Sequence, residues 1–188
     1  QNVPIMLEPT MTAQLLGFLA QCLNGEAVNQ KQSFLAGKLG EKIGSELVTV
    51  VDDGLLPGGL GTSPFDDEGV PHRRTPLLEK GVLKSYLLDT YNARKMKATS
   101  TGNAGGTTNF YLAAGTSKPA EILKSVEKGL LLTGTMGQGT VASTGDISRG
   151  AFGLWIEKGE VVHPVAEITI SGNLGKMLQD VAMVGDDL

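Results

Sequence analysis

An α+β fold with a largely antiparallel, mixed sheet and short helices follows from three features of the sequence. Apolar segments of strand length mix with segments of helical period, without the regular strand-helix-strand rhythm of a parallel sheet. Two "EKG" tripeptides, at residues 79–81 and 157–159, each sit between apolar stretches and read as hairpin turns. The 26 glycines among 188 residues are scattered, which marks tight turns and close backbone approaches and not a low-complexity linker.

The opening "VPIML" reads as a short strand ended by "EPT". "MTAQLLGFLAQCL" then carries Met11, Leu15, Leu16, Phe18, Leu19, Cys22 and Leu23 at helical spacing, with Thr10 as N-cap and "NG" as the stop. A weaker helical stripe runs through Phe34, Leu35, Leu39 and Ile43, and "ELVTVVDD" has the β-branched content of a strand. "GLLPGGLGTSP" is a loop. "TPLLEKGVLKSYLLD" predicts a hairpin at Lys80-Gly81, followed by a helix at "TYNARKMKA". "WIEKGEVVHPV" predicts a second hairpin at Lys158-Gly159, then one more strand, "EITIS", and a helix at "NLGKMLQDVAM". Hairpin before helix, twice, is the pattern of an internal duplication, although turn chemistry alone also accounts for the repeated tripeptide. Between them, "SKPAEILKSVEKG" predicts a surface helix with Ser117 as cap, Ile122, Leu123 and Val126 on one face, and Gly129 as stop.

Composition narrows the function classes. A chain of 188 residues makes one domain, or two small ones. Its 40% hydrophobic and 19% charged content is that of a soluble globular protein, and no apolar run reaches the ~18 residues of a membrane span, so no membrane partner is expected. A formal charge of -4 without basic blocks offers no footprint for duplex DNA, so no nucleic-acid partner is expected either. Cys22 is the sole cysteine, which excludes an intrachain disulfide and favours a reducing, cytoplasmic compartment. The start "QNVPIMLEP" lacks an initiator Met and the pattern of a signal peptide, and it suggests a piece of something longer.

The densest chemistry lies in "SPFDDEGVPHRRTP", residues 63–76. Asp66, Asp67, Glu68 and His72 are ligand types for a hard cation or zinc, yet EF-hand spacing and the HExxH, HxH and CxxC patterns are absent, and Arg73 and Arg74 add positive charge. The favoured expectation is a self-paired loop, its acids capping backbone N–H groups and Asp66 and Glu68 forming ion pairs with Arg73 and Arg74. Cys22, inside an apolar helical stripe, reads as a core residue, and no GxSxG elbow presents a serine, so no catalytic residue is assigned. "STGNAGGTTNF", residues 100–110, offers Ser100, Thr101 and Asn103 as candidates for holding a phosphate or a peptide backbone, without a Walker A or GxGxxG match. "MGQGTVASTGDISRGAFG", residues 136–153, brings Asp146 and Arg149 between glycines; it reads equally as a peptide-binding loop or as tight turns in a crowded β structure.

The blocks "GTSPFDDEGVPHRRTPLLEKGVLKSYLLDTYNARK", "STGNAGG", "MGQGTVASTGDISRGAFGLWIEKGE" and "EITISGNL", in that order and with the opening strand and helix, resemble the C-terminal region of the TldD/PmbA family. The resemblance covers nearly all of residues 1–188 and implies a single C-terminal domain whose N-terminal α/β partner domain lies outside this sequence. It further implies a cytoplasmic two-subunit protease, TldD with PmbA, that degrades unfolded or small peptides and matures a peptide precursor, in a family also labelled modulator of DNA gyrase. In the TldD branch the first helix carries HExxxH, two zinc ligands and a general base. The resembling positions here are Gly17, Phe18 and Cys22, and the family's third ligand, a cysteine near the C-terminus, has no counterpart.

The resemblance therefore implies the PmbA branch, with no metal and no cofactor in this chain and zinc in a TldD-like partner. Asp66, Glu68, Arg73, Arg74, Ser100, Thr101, Asn103, Asp146 and Arg149 become candidate substrate or interface residues. Heterodimer contacts are expected, with homodimer contacts as a further possibility. Two other readings stand beside this one: a hydrolase in its own right, using the acids of residues 66–68 with a cation, and a non-catalytic module binding a protein such as a topoisomerase.

Overall fold

In the computed structural model, which describes residues 2–187, the chain runs β1 (Ile5–Leu7), α1 (Pro9–Leu23), α2 (Gly25–Asn29), β2 (Val50–Asp53), β3 (Arg74–Glu79), β4 (Val82–Leu83) and α3 (Thr90–Lys95). It continues β5 (Phe110–Leu112), α4 (Pro119–Ser125), β6 (Lys128–Met136), β7 (Thr140–Val141), β8 (Asp146–Glu157), β9 (Glu160–Asn173) and α5 (Leu174–Gln179). The strands form two sheets. One has the order β1-β6-β8-β7, with β9 on the other side of β8; the second has the order β4-β3-β2-β5. Only the β1–β6 pair is parallel among the described residues, so the expected α+β class with a largely antiparallel mixed sheet is what the chain adopts.

Helix α1 joins the two sheets because its apolar stripe is wide enough to face both. Phe18, Leu19, Cys22 and Leu23 enter the main core beside Val50 of β2, Leu77 and Leu78 of β3, and Leu174 and Leu178 of α5. Met11, about two turns before Phe18, instead joins Leu130 and Leu132 of β6 and Ala151 of β8. Each fully buried side chain of this size stabilises the fold by about 1.5–3 kcal/mol relative to exposure.

Both predicted hairpin turns are present. Lys80 and Gly81 have φ of 47° and 77°, Lys158 and Gly159 have 52° and 75°, which is the two-residue positive-φ requirement of a type I′ turn. The two hairpins lie in different sheets of different strand order, and the third "EKG", residues 127–129, runs into β6 with no turn. Duplication is therefore not the origin of the repeat.

Several boundaries differ from expectation. Thr10 does not cap α1: Glu8 holds the N-cap position without a side-chain bond and Pro9 starts the helix, where its missing N–H costs nothing. Ser117 does not cap α4; Lys118 is the N-cap, its N–H donating to Glu121 Oε2 at 3.0 Å, and Gly129 belongs to β6. The expected helical stripe through Phe34 to Ile43 is a series of turns, because Gly37 and Gly40 adopt φ of 80° and 85°. "EITIS" is no separate strand. It continues β9 past a bulge where Ala151 pairs with Ile168 and Gly153 with Val165, and Glu167 takes φ 55°. α5 ends at Gln179, short of the predicted extent. α4 buries no side chain, as a surface helix should.

The turn at Gly81 supplies a test. A Cβ there meets the Gly44 carbonyl at a positive φ, whereas a Cβ on Gly17 of α1 meets nothing within 4 Å. Gly81→Ala is expected to destabilise the protein by about 2–4 kcal/mol, and Gly17→Ala to stabilise it by about 0.5–1 kcal/mol, both read from urea unfolding midpoints.

Candidate functional site

Six of the nine candidate residues lie in one hydrogen-bonded assembly, and Asp52 at the end of β2 is its anchor. Asp52 is 2% exposed; its Oδ1 accepts from the Thr108 N–H at 2.7 Å and its Oδ2 from Asn103 Nδ2 at 2.7 Å. The Thr101 hydroxyl donates to Asn103 Oδ1 at 2.7 Å and accepts from the Leu88 N–H at 2.7 Å. Ser100 Oγ donates to the Leu88 carbonyl at 3.0 Å and accepts from the Gly102 N–H at 3.1 Å. Ser100 and Asn103 are buried, so the polar groups of this loop face the core, while residues 105–107 are exposed.

The acid-rich loop closes over the other side of the same segment. Asp66 Oδ1 accepts from the N–H groups of Glu68 at 3.0 Å and Val70 at 2.9 Å, and its Oδ2 accepts from the Ala104 N–H at 3.0 Å. Burial pushes the Asp66 carboxyl up, but these backbone donors outweigh it and hold the group below the ordinary carboxylate range. Glu68 Oε2 accepts from the Thr90 N–H at 2.8 Å, at the start of α3. Arg73 donates from its guanidinium to the Ser100 carbonyl, and from Nε to the Thr101 carbonyl at 3.4 Å.

The expected ion pairs of Asp66 and Glu68 with Arg73 and Arg74 do not form. Among the described residues Arg74 pairs only with Asp53, at 3.9 Å, and Arg73 with no carboxylate. Turn N–H groups stand within reach of a short aspartate without ordering a long side chain, so they win the competition for the carboxylates.

Asp146 and Arg149 lie elsewhere, on opposite faces of β8. Asp146 accepts from Thr144 Oγ1 at 2.6 Å and Asn173 Nδ2 at 2.9 Å; these bonds lower its pKa and tie the β7–β8 turn to the end of β9. Of the two readings of residues 136–153, tight turns and strand describe the backbone, since β7 and the start of β8 occupy it. Arg149 points under α1, where it lines a recess of about 50 Å³ with Met11, Gln14, Phe18 and Thr135. Gln14 and Thr135 are not legible as site residues in the sequence; only the tertiary approach of α1 to β6 joins them, with Thr135 Oγ1 donating to Gln14 Oε1 at 3.0 Å.

A chain of two largely antiparallel sheets joined by an apolar helix, with two loops locked on buried carboxylates, has close counterparts among known proteins. Residues 1–188 match the family described as PmbA/TldA metallopeptidase C-terminal domain, and the chain belongs to that PmbA/TldD family. It is 40% identical over 187 residues to the metalloprotease PmbA of Escherichia coli O157:H7, covering 100% of this chain and 42% of that protein. A metalloprotease TldD homolog of Buchnera aphidicola subsp. Acyrthosiphon pisum is 35% identical over 182 residues, covering 88% of this chain and 37% of its own length. The structure of TldE from Thermococcus kodakarensis superposes with a TM-score of 0.88 at 31% identity, over 98% of this chain and 45% of that one. A Thermotoga maritima protein carrying the label modulator of a DNA gyrase superposes with a TM-score of 0.92 at 37% identity, over 98% and 45% respectively. The chain thus spans about two fifths of the length of the curated relatives it matches.

The residues of this chain do not fit the metal that such relatives' names imply. Among the described residues no three His, Cys, Asp or Glu side chains converge. The Asp66 oxygens and a Glu68 oxygen are already occupied by N–H donors. On α1, Gly17 and Phe18 bring no ligand atom, and Cys22 is fully buried, its thiol pushed up to about 12 by that burial. A buried neutral thiol is a poor nucleophile, and with no second ligand atom beside it Cys22 does not make a metal site. No helix among the described residues is long and apolar enough to cross a membrane.

Asp66→Ala leaves three backbone donors without their acceptor and is expected to cost about 2–3 kcal/mol. Because the folded pKa of Asp66 lies below its unfolded value, its contribution is present at neutral pH and is lost as pH falls through the folded value. Urea midpoints of the parent should therefore drop more steeply between neutral pH and pH 3 than those of the variant.

Proposed function

We propose that this chain is the C-terminal domain of a PmbA-type subunit that works with a TldD-like, zinc-bearing partner on unstructured peptides and peptide precursors, and that it does not itself hydrolyse them. The observation that carries this reading is the make-up of α1, where Gly17, Phe18 and Cys22 stand at the positions resembling HExxxH and supply an aromatic plug and a core thiol in place of ligands and base. Identity of 40% to a PmbA relative, against 35% to a TldD homolog, supports the same branch. The contribution of this domain is then shape: a rigid loop pair around Asp52 and Asp66, and a closed α1 face, against which a partner's site and an extended peptide are positioned. The subunit acts in the cytoplasm, as a heterodimer with possible homodimer contacts, and without direct nucleic-acid contact, in keeping with a charge of -4 and no basic block.

The label on the Thermotoga structure motivates a second reading, a binding module for a topoisomerase. The two separate by a cleavage assay together with a pull-down against a topoisomerase in the absence of any TldD-like subunit. The purified intact subunit is incubated with an unstructured peptide, alone, with its TldD-like partner, and with partner plus chelator. Cleavage is expected only with the partner, and the chelator should abolish it. Cleavage by the subunit alone that a chelator stops would overturn the proposal in favour of a self-sufficient hydrolase, and a stable topoisomerase complex formed without any effect on cleavage would favour the module.

A further inference from the structure

The recess under α1 contains a group that the packing alone does not explain. Side chains alternate along β8, and Ile147 and Ala151 bury on the face that α1 covers. Arg149 falls in that apolar row. It lies where β8 passes from β6 to β7, since Gly150 pairs with Met136 and Ile147 with Thr140. Its Nε is buried without a hydrogen-bond partner, and among the described residues no carboxylate lies within ion-pair distance of it. An unpaired buried N–H of a charged group is costly and rare in native proteins, and a ligand that completes it is one of the few reasons to keep it.

We propose that this recess binds the C-terminal carboxylate of a peptide whose last residue is small and apolar, with Arg149 as the anion partner. This rests on the peptide-handling reading given above. The lining also includes Gln14, whose Oε1 accepts from Thr135 Oγ1, which leaves its amide nitrogen as a second donor group for an anion in the recess. One arginine and one amide suit a planar, singly charged carboxylate in bidentate contact better than a phosphate, which carries more charge and calls for more donors. Met11, Phe18 and Met177 supply the apolar floor, and the thioethers adjust to different shapes. A recess of about 50 Å³ is several times what one water requires and suits a short apolar side chain such as alanine or valine better than a bulky one. An α-carboxylate carries its apolar side chain on the neighbouring atom, so charge and apolar group arrive together. An internal Asp or Glu would instead carry its own peptide groups into an apolar pocket, where they lose hydrogen bonds to water.

The test uses the intact purified protein and three probes followed by calorimetry or NMR titration: acetyl-Gly-Gly-Val as free acid, the same peptide as C-terminal amide, and acetyl-Gly-Gly-Asp with an amidated C-terminus. The free acid should bind at least tenfold tighter than either amide. Arg149→Met should lose at least tenfold for the acid alone, Arg149→Lys should retain part of it, and Arg149→Met should melt no lower than the parent because it removes an unpaired buried donor. Equal binding of acid and valine amide, equal binding of the aspartate peptide, absence of binding, or an Arg149→Met variant that binds the acid like the parent would each overturn the inference. Should Arg149→Met fail to fold, Arg149 is structural and the proposal falls unless the parent's acid-to-amide ratio and Arg149→Lys carry it. Equal binding of acid and amide leaves the peptide-handling reading intact, since that reading is judged by cleavage with the partner.

Discussion

Two buried carboxylates hold segments of this chain that lie up to 56 residues apart in sequence. Asp52 gathers Asn103 and Thr108, and Asp66 gathers Ala104 together with its own turn. Removing a carboxylate from water costs several kcal/mol and is tolerated only when strong, well-aligned donors replace the water. Backbone N–H groups and one amide do so here, and in return they order a loop of small residues that has little apolar surface of its own. The seating of both loops against the end of β2, between β3 and β5, follows from that pair of anchors.

One consequence is a separation between what resembles chemistry and what is free to perform it. The stretch with the most acids, a histidine and two arginines is spent on holding itself and its neighbour in place. Arg149, by contrast, stands in a row of apolar side chains, and its Nε has no partner among the described residues. Chemistry that is already satisfied stabilises, and chemistry left unsatisfied is available to a ligand.

How much of this was legible in the sequence depends on whether the signal was local. Positive-φ turns at Lys80-Gly81 and Lys158-Gly159, the wide stripe of α1 and the exposed α4 are written in a few adjacent residues, and they appear where the pattern puts them. The stripe through Phe34 and Leu39 has helical spacing but two glycines that leave helical φ, so its periodicity outvoted its turn chemistry. α2 is short enough that its Asn24 cap, which accepts from Glu26 and Ala27, is its main signal. β9 reads as two strands in the sequence because the extra residue at its bulge resets the alternation. The partners of Asp66 and Glu68 were mistaken because charge suggests ion pairs, while the deciding donors are main-chain groups brought in from residue 104 and from α3. Gln14 and Thr135, 121 residues apart, meet only through tertiary structure.

On the proposed reading, α1 carries a phenyl ring and a core thiol where the corresponding helix of a TldD-like partner would carry metal-binding groups. The most direct measurement is elemental analysis of zinc per polypeptide, made on the purified intact subunit and on its complex with a TldD-like chain. The account predicts no stoichiometric zinc in the subunit alone and one zinc in the complex that stays with the other chain on separation. Stoichiometric zinc in the isolated subunit, lost on replacing Cys22 or His72, would contradict it.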